Sequence, residues 1–185
     1  MRRIRFIPIF FALAVAVAAA YTDYSSARQK IDTIESRSLR PGSRVQLTYP
    51  EIAAWAAHEA PAGVRNPQIR GTSPGVATGT ALIDFGKVQR AQGQTPGWLM
   101  SKLLDGERPV SVTCRFTSAD GRATVDVQRV EISGLAIDGR TLDFLIQNIL
   151  LPMYPNAAIG RPFELGDRID RFDVQPAGVA VHIGK

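Results

Sequence analysis

Few residues in this 185-residue chain could do chemistry: His58, His182, Cys114, the aspartates Asp167, Asp170 and Asp173, and the glycines Gly71, Gly75 and Gly79. The histidines are far apart in sequence, and neither sits in an HxH, HxxxH or HExxH pattern. His58 falls near the end of a predicted helix, where a cation is favourable against the dipole. His182 lies between Val181 and Ile183, on the outward parity of a terminal strand. Structural or surface roles are expected for both, because a ligand or base needs partners that the sequence does not supply. Cys114 lies in the run Val110 to Phe116, on the apolar side of an alternating strand, and reads as a small buried hydrophobe. As the only cysteine it forms no disulfide within the chain, and no activating neighbour marks it as a nucleophile.

The three aspartates suggest a metal site at first. On a strand, a spacing of three sends successive side chains to opposite faces, so Asp170 and Asp173 converge only across a bulge. Arg168 and Arg171 between them predict a salt-bridged, solvated strand instead. The three glycines lack the Gly-Lys-Ser/Thr of a phosphate loop. No serine stands in a Gly-x-Ser-x-Gly elbow. The expectation is a non-enzymatic protein with no metal or organic cofactor. A hydrolase built on an unrecognised triad would need a buried polar constellation at His58 or His182.

The elements that would position any site begin with the leader. Arg2, Arg3 and Arg5 precede an apolar stretch from Ile7 that ends in Ala18-Ala19-Ala20. A basic start, a short apolar core and a small-residue exit are the plan of a secretory signal peptide over residues 1–20, with cleavage before Tyr21. An uncleaved anchor is the alternative. An exported protein is expected, periplasmic by preference. Three of the 22 basic residues lie in that leader and no acid does, so the remainder balances 19 against 17, or +2. That is too little to suggest nucleic acid, though weak attraction to an anionic membrane surface is compatible with it.

Residues 21–44 read as an N-terminal helix and linker, and 45–185 as one α+β domain. Thr48 as N-cap, Pro50 and Glu51 spell a capping box at the start of a helix reaching Glu59. Strands are predicted over 64–72 and 76–85, with Ser73-Pro74-Gly75 as a turn. In the second, Gly75, Ala77, Gly79 and Ala81 share one parity, which predicts a bend or the close approach of another element. Residues 86–94 read as loop. Asp120-Gly121 between two alternating runs predicts a hairpin over 108–119 and 122–132. Val110, Val112, Cys114, Phe116, Val125 and Val127 form its apolar face, so the sheet is covered on one side. Leu142, Leu145, Ile146 and Ile149 are spaced for one helical face within 142–151. A last hairpin is expected over 168–174 and 178–183.

The apolar excess is the remaining clue. Trp55, Trp98, Leu99, Met100, Leu103, Phe144, Leu145, Ile149, Leu150 and Met153 exceed what helix caps need. Such residues are usually core. The functional alternative is that some line a pocket between a curved sheet and its helices, to which Met and aromatic side chains are well suited.

The order of these elements resembles a known group. An early helix follows Val45-Gln-Leu-Thr-Tyr-Pro-Glu-Ile52, then come the glycine-punctuated strands and a hairpin ending in Val-Glu-Ile-Ser-Gly-Leu135. An apolar helix runs into Leu151-Pro-Met-Tyr-Pro155, and Ile169-Asp-Arg-Phe-Asp-Val174 and Gly178-Val-Ala-Val-His-Ile183 close the chain. Over 45–185 this resembles small exported bacterial lipid-binding proteins of the tubular lipid-binding (TULIP-like) kind, including the LmeA-like families and, more distantly, the AsmA-like proteins. The resemblance implies a curved, largely antiparallel sheet packed around one long apolar helix with additional short helices. It implies an apolar groove for acyl chains and no catalysis. Leu142 to Leu151 would be the wrapped helix, and Trp98 to Leu104 would stand near a groove mouth.

The lipid-binding residues expected on this reading are Trp55, Trp98, Leu99, Met100, Leu103, Val112, Phe116, Leu142, Leu145, Ile146 and Ile149. The partner would be a lipid or other hydrophobic small molecule, met at a membrane surface to which the protein is peripheral. The alternative is an envelope scaffold with a solid core, whose exposed apolar patch contacts another protein.

Overall fold

The computed structural model describes residues 7–91, 93, 106–147 and 159–185, with the backbone alone at 7–20 and Leu145. In chain order the elements are α1 (Ile7–Glu35), β1 (Arg44–Leu47), α2 (Tyr49–Glu59), β2 (Val64–Ser73), β3 (Val76–Asp84), α3 (Phe85–Ala91), β4 (Glu107–Ala119), β5 (Arg122–Ile132), β6 (Leu135–Ile137), α4 (Gly139–Leu145), β7 (Phe163–Glu164), β8 (Ile169–Gln175) and β9 (Gly178–Ile183). The chain is α+β with antiparallel sheets. One sheet runs β1-β9-β8, and the other runs β2-β3-β4-β5-β6 with β7 also paired to β5.

Local sequence explains much of this. Thr48 Oγ1 accepts from the Glu51 N–H, and Glu51 Oε2 accepts from the Thr48 N–H at 2.8 Å, so the expected capping box starts α2. Glu51 also ties α2 to α1. It is buried and accepts from Lys30 Nζ at 2.6 and 2.8 Å and from Ser26 Oγ at 2.5 Å. Burial alone would raise its pKa. The bonds from Lys30, Ser26 and the Thr48 N–H, with the Lys30 charge, outweigh burial and hold it at about 2. At the β4–β5 hairpin, Asp120 and Gly121 both have positive φ, 51° and 72°, as a type I′ turn requires.

The two sheets meet where β8 crosses the far end of β4. Ser118 Oγ donates to the Phe172 carbonyl at 2.7 Å and accepts the Phe172 N–H at 2.9 Å. Phe116 and Phe172 meet edge to face, with centroids 6.1 Å apart. The Gly75 N–H donates to the Val174 carbonyl at 2.8 Å, and the Gly121 N–H to the Asp170 carbonyl at 2.7 Å. Gly71 makes the closest approach, since a Cβ there would stand 2.5 Å from the Gln175 carbonyl oxygen and 2.9 Å from Pro176 Cα. Two apolar clusters result. Ile34, Val181 and Ile183 join α1 to the small sheet, and Phe85, Val88, Val110 and Ile132 join α3 to the large one.

Two expectations change. Among the described residues, one long apolar helix as the hub of a curved sheet is not found. The helix there, α4, spans seven residues, Gly139–Leu145, and residues 148–151 of the expected helix lie outside the described residues. Among the described residues the longest helix is α1, which packs on α2 and β1. Residues 86–94, expected as loop, begin with helix α3, because the Asp84 carboxylate accepts the Lys87 N–H at 2.9 Å and caps a first turn whose apolar residue, Val88, is buried. Among the described residues, no helix is long and apolar enough to cross a membrane.

Candidate functional site: an apolar cavity on one face of the large sheet

The β3–β4 register sets the floor of the site. Ala77, Gly79 and Ala81 stand opposite Cys114, Val112 and Val110, so all six share one face. The small residues of β3 therefore lie beside the large residues of β4, and at Gly79 an added Cβ would meet nothing nearer than the Gln68 carbonyl oxygen at 4.0 Å. Small side chains on a strand face leave the space above them unfilled.

Strand β5 continues the floor through a bulge. Val127 pairs with Cys114 but Arg129 pairs with Thr113, so Gln128 is the extra residue. The bulge switches parity, bringing Val130 and Ile132 onto the face already occupied by Val125 and Val127. Strict alternation would turn Val130 and Ile132 away, which is why pattern reading misses them.

The walls come from elsewhere in the chain. Ala56, Ala60 and Pro61 at the end of α2 form one, and Phe85 and Val88 of α3 form another. Leu142 and Ile146 stand opposite them, with Ile159 where the chain returns to bridge Val125. The partly open cavity measures about 470 Å³, within the usual range for small-molecule sites. Its described lining carries no charged side chain, and the one heteroatom-bearing side chain in it is Cys114. Burial pushes the Cys114 thiol up, and the Asp126 charge adds to this, which disfavours the thiolate.

Of the residues expected at a pocket, Val112, Leu142 and Ile146 line this cavity. Trp55 does not. It lies on α2, 36% exposed, while Ala56 beside it faces the cavity. Phe116 has the right parity but lies past the end of the cavity, where Phe172 of β8 takes it up. Trp98, Leu99, Met100, Leu103 and Ile149 lie outside the described residues, as does the side chain of Leu145.

The histidines and the three aspartates stay apart from this site. His58 is exposed, stacked on Tyr24 with centroids 4.3 Å apart and 3.1 Å from Glu59 Oε1. His182 Nε2 lies 2.8 Å from Asp173 Oδ2 on the small sheet. A bulge at Asp170 does occur, and Arg171 then bridges Asp170 at 3.2 Å and Asp173 at 3.7 Å, giving the salt-bridged strand. Among the described residues, no group of three or more His, Cys, Asp or Glu is placed to hold a metal ion. The chain matches no protein-family model, no curated protein and no solved structure.

Proposed function

We propose that this is an exported, non-enzymatic protein that holds the acyl chain of a lipid or similar amphiphile in the cavity over β3, β4 and β5. The observation that carries this reading is a cavity of about 470 Å³ whose described walls are apolar. A water occupies about 30 Å³ of liquid and a methylene is of similar size, so there is room for on the order of fifteen methylenes. Each methylene shielded from water contributes about 0.8 kcal/mol, so binding needs no catalytic group. Carriage, sensing or presentation at a membrane surface follows from such a site, in keeping with the TULIP-like element order. Large apolar side chains exposed on elements that border the cavity support a peripheral membrane contact: Leu135 on β6 is 71% exposed and Phe144 on α4 is 43% exposed.

The test is native mass spectrometry of protein purified gently from cells, with lipid analysis of the denatured sample. A stoichiometric lipid adduct is expected. A clean unliganded mass, unchanged after incubation with mixed phosphatidylglycerol and phosphatidylethanolamine vesicles, would refute the reading and favour the envelope scaffold.

A further inference from the structure

Among the described residues, the strand face that carries the cavity has one cation, at the edge of the lining. In the row that crosses β2, β3 and β4, Val64 pairs with Ile83 and Ile83 pairs with Arg108. Val64 and Ile83 both line the cavity. Arg108 is the third member of that row and precedes Val110 by two residues, so alternation puts it on the same face as Val110, Val112 and Cys114. Its Nε is buried and has no hydrogen-bond partner. Leaving such a donor unpaired is costly, and a charged one especially so.

The carboxylates on these strand ends do not relieve it. Glu107 has the opposite parity and pairs with Arg65 at 3.1 Å. Asp84 accepts the Lys87 N–H and lies 3.2 Å from Lys87 Nζ, where it caps α3. Among the described residues, then, Arg108 has no acidic partner. A guanidinium suits an anionic oxygen group, which it can bond through two parallel N–H donors.

The geometry points to a single-chain amphiphile with an anionic headgroup as the ligand, its chain in the cavity and its carboxylate or phosphate on Arg108. This inference rests on the acyl-chain reading of the cavity and adds the headgroup to it. The uncharged lining orients the chain, and the cation at the end of the Val64–Ile83–Arg108 row selects which amphiphiles bind. An uncharged amphiphile of equal length would fill the cavity and leave Arg108 unpaired.

The experiment compares dodecanoate, dodecyl phosphate and dodecanol, titrated below their aggregation limits into the wild-type protein, R108K and R108Q. Charged hydrogen bonds of this kind correspond to a preference of about tenfold to a hundredfold. At least one anion should bind the wild type that much more tightly than dodecanol, and whichever binds tighter identifies the headgroup. R108K should keep part of the preference. R108Q should lose it while binding dodecanol as the wild type does. Equal wild-type affinity for all three ligands overturns the role of Arg108 and leaves the acyl cavity standing. Failure of all three to bind overturns the cavity reading itself. The wild-type comparison needs no variant to fold.

Discussion

Gly79 gives the sharpest way to probe the cavity. It sits in mid-strand on the cavity face opposite Val112, without a positive φ, and an added Cβ would have the Gln68 carbonyl oxygen as its nearest described neighbour at 4.0 Å. Gly79→Val therefore adds three carbons to empty space. At about 0.8 kcal/mol for each carbon buried, the full gain is about 2 kcal/mol. The cavity is partly open, so about half of that is realised. Relief of the glycine backbone penalty contributes about 0.5–1 kcal/mol more. The unliganded variant should thus be about 2 kcal/mol more stable, a rise in Tm of roughly 4–8 °C for a domain of this size. The same carbons displace about three methylenes of a bound chain. Affinity for hexadecanol, whose chain fills the wild-type cavity, should then fall by about 2 kcal/mol, or on the order of thirtyfold. Because Cys114 is the only cysteine and lines the cavity, protection from an apolar maleimide reports occupancy at one defined atom. Stability and affinity must move in opposite directions. A lower Tm, as expected if the space were already filled, or protection by hexadecanol equal to that of the wild type, refutes the reasoning.

Two further outcomes test the frame around the site. Glu51 titrates at about 2 in the folded protein against 4.5 ordinarily, and at about 1.4 kcal/mol per unit its ionised form contributes about 3 kcal/mol. A depressed carboxylate stabilises above its unfolded value, so urea unfolding should show Glu51→Gln weaker by about that amount at pH 7. The gap should close as pH falls from 4.5 towards 2, and a gap independent of pH would count against the Lys30–Glu51 link. Gly71→Ala should lower stability by roughly 1–3 kcal/mol in the same assay, because its Cβ would press on the Gln175 carbonyl and Pro176. Unchanged stability would mean that β2 and the β8–β9 turn are not in contact as described.

Features set by a few neighbouring residues were legible without a structure. The Thr48–Glu51 capping box closes within one helical turn, and Asp120-Gly121 closes a hairpin by its own backbone preference. The alternation of Val110, Val112 and Cys114 likewise names one face of β4. The same sequence logic put Phe116 with them and extended an apolar helix to Leu151. Which neighbour Phe116 meets is not visible locally, since β8 arrives from more than fifty residues away, and of that helix the described part is α4, Gly139–Leu145. Sequence also left open whether the apolar excess was core or pocket, because both ask for the same side chains.

Tertiary pairing set which described side chains line the cavity. The bulge at Gln128 turns Val130 and Ile132 towards Val125 and Val127, which period-two reading places on the other face. Register sets Gly79 and Ala81 beside Val112 and Val110, so the small residues of β3 share the face on which β4 lines the cavity. It also sets Arg108 in line with Val64 and Ile83 on that face. Side-chain type is written in the sequence one residue at a time. Which side chains share a volume depends on strand register and bulges, and those are settled only when distant strands pair.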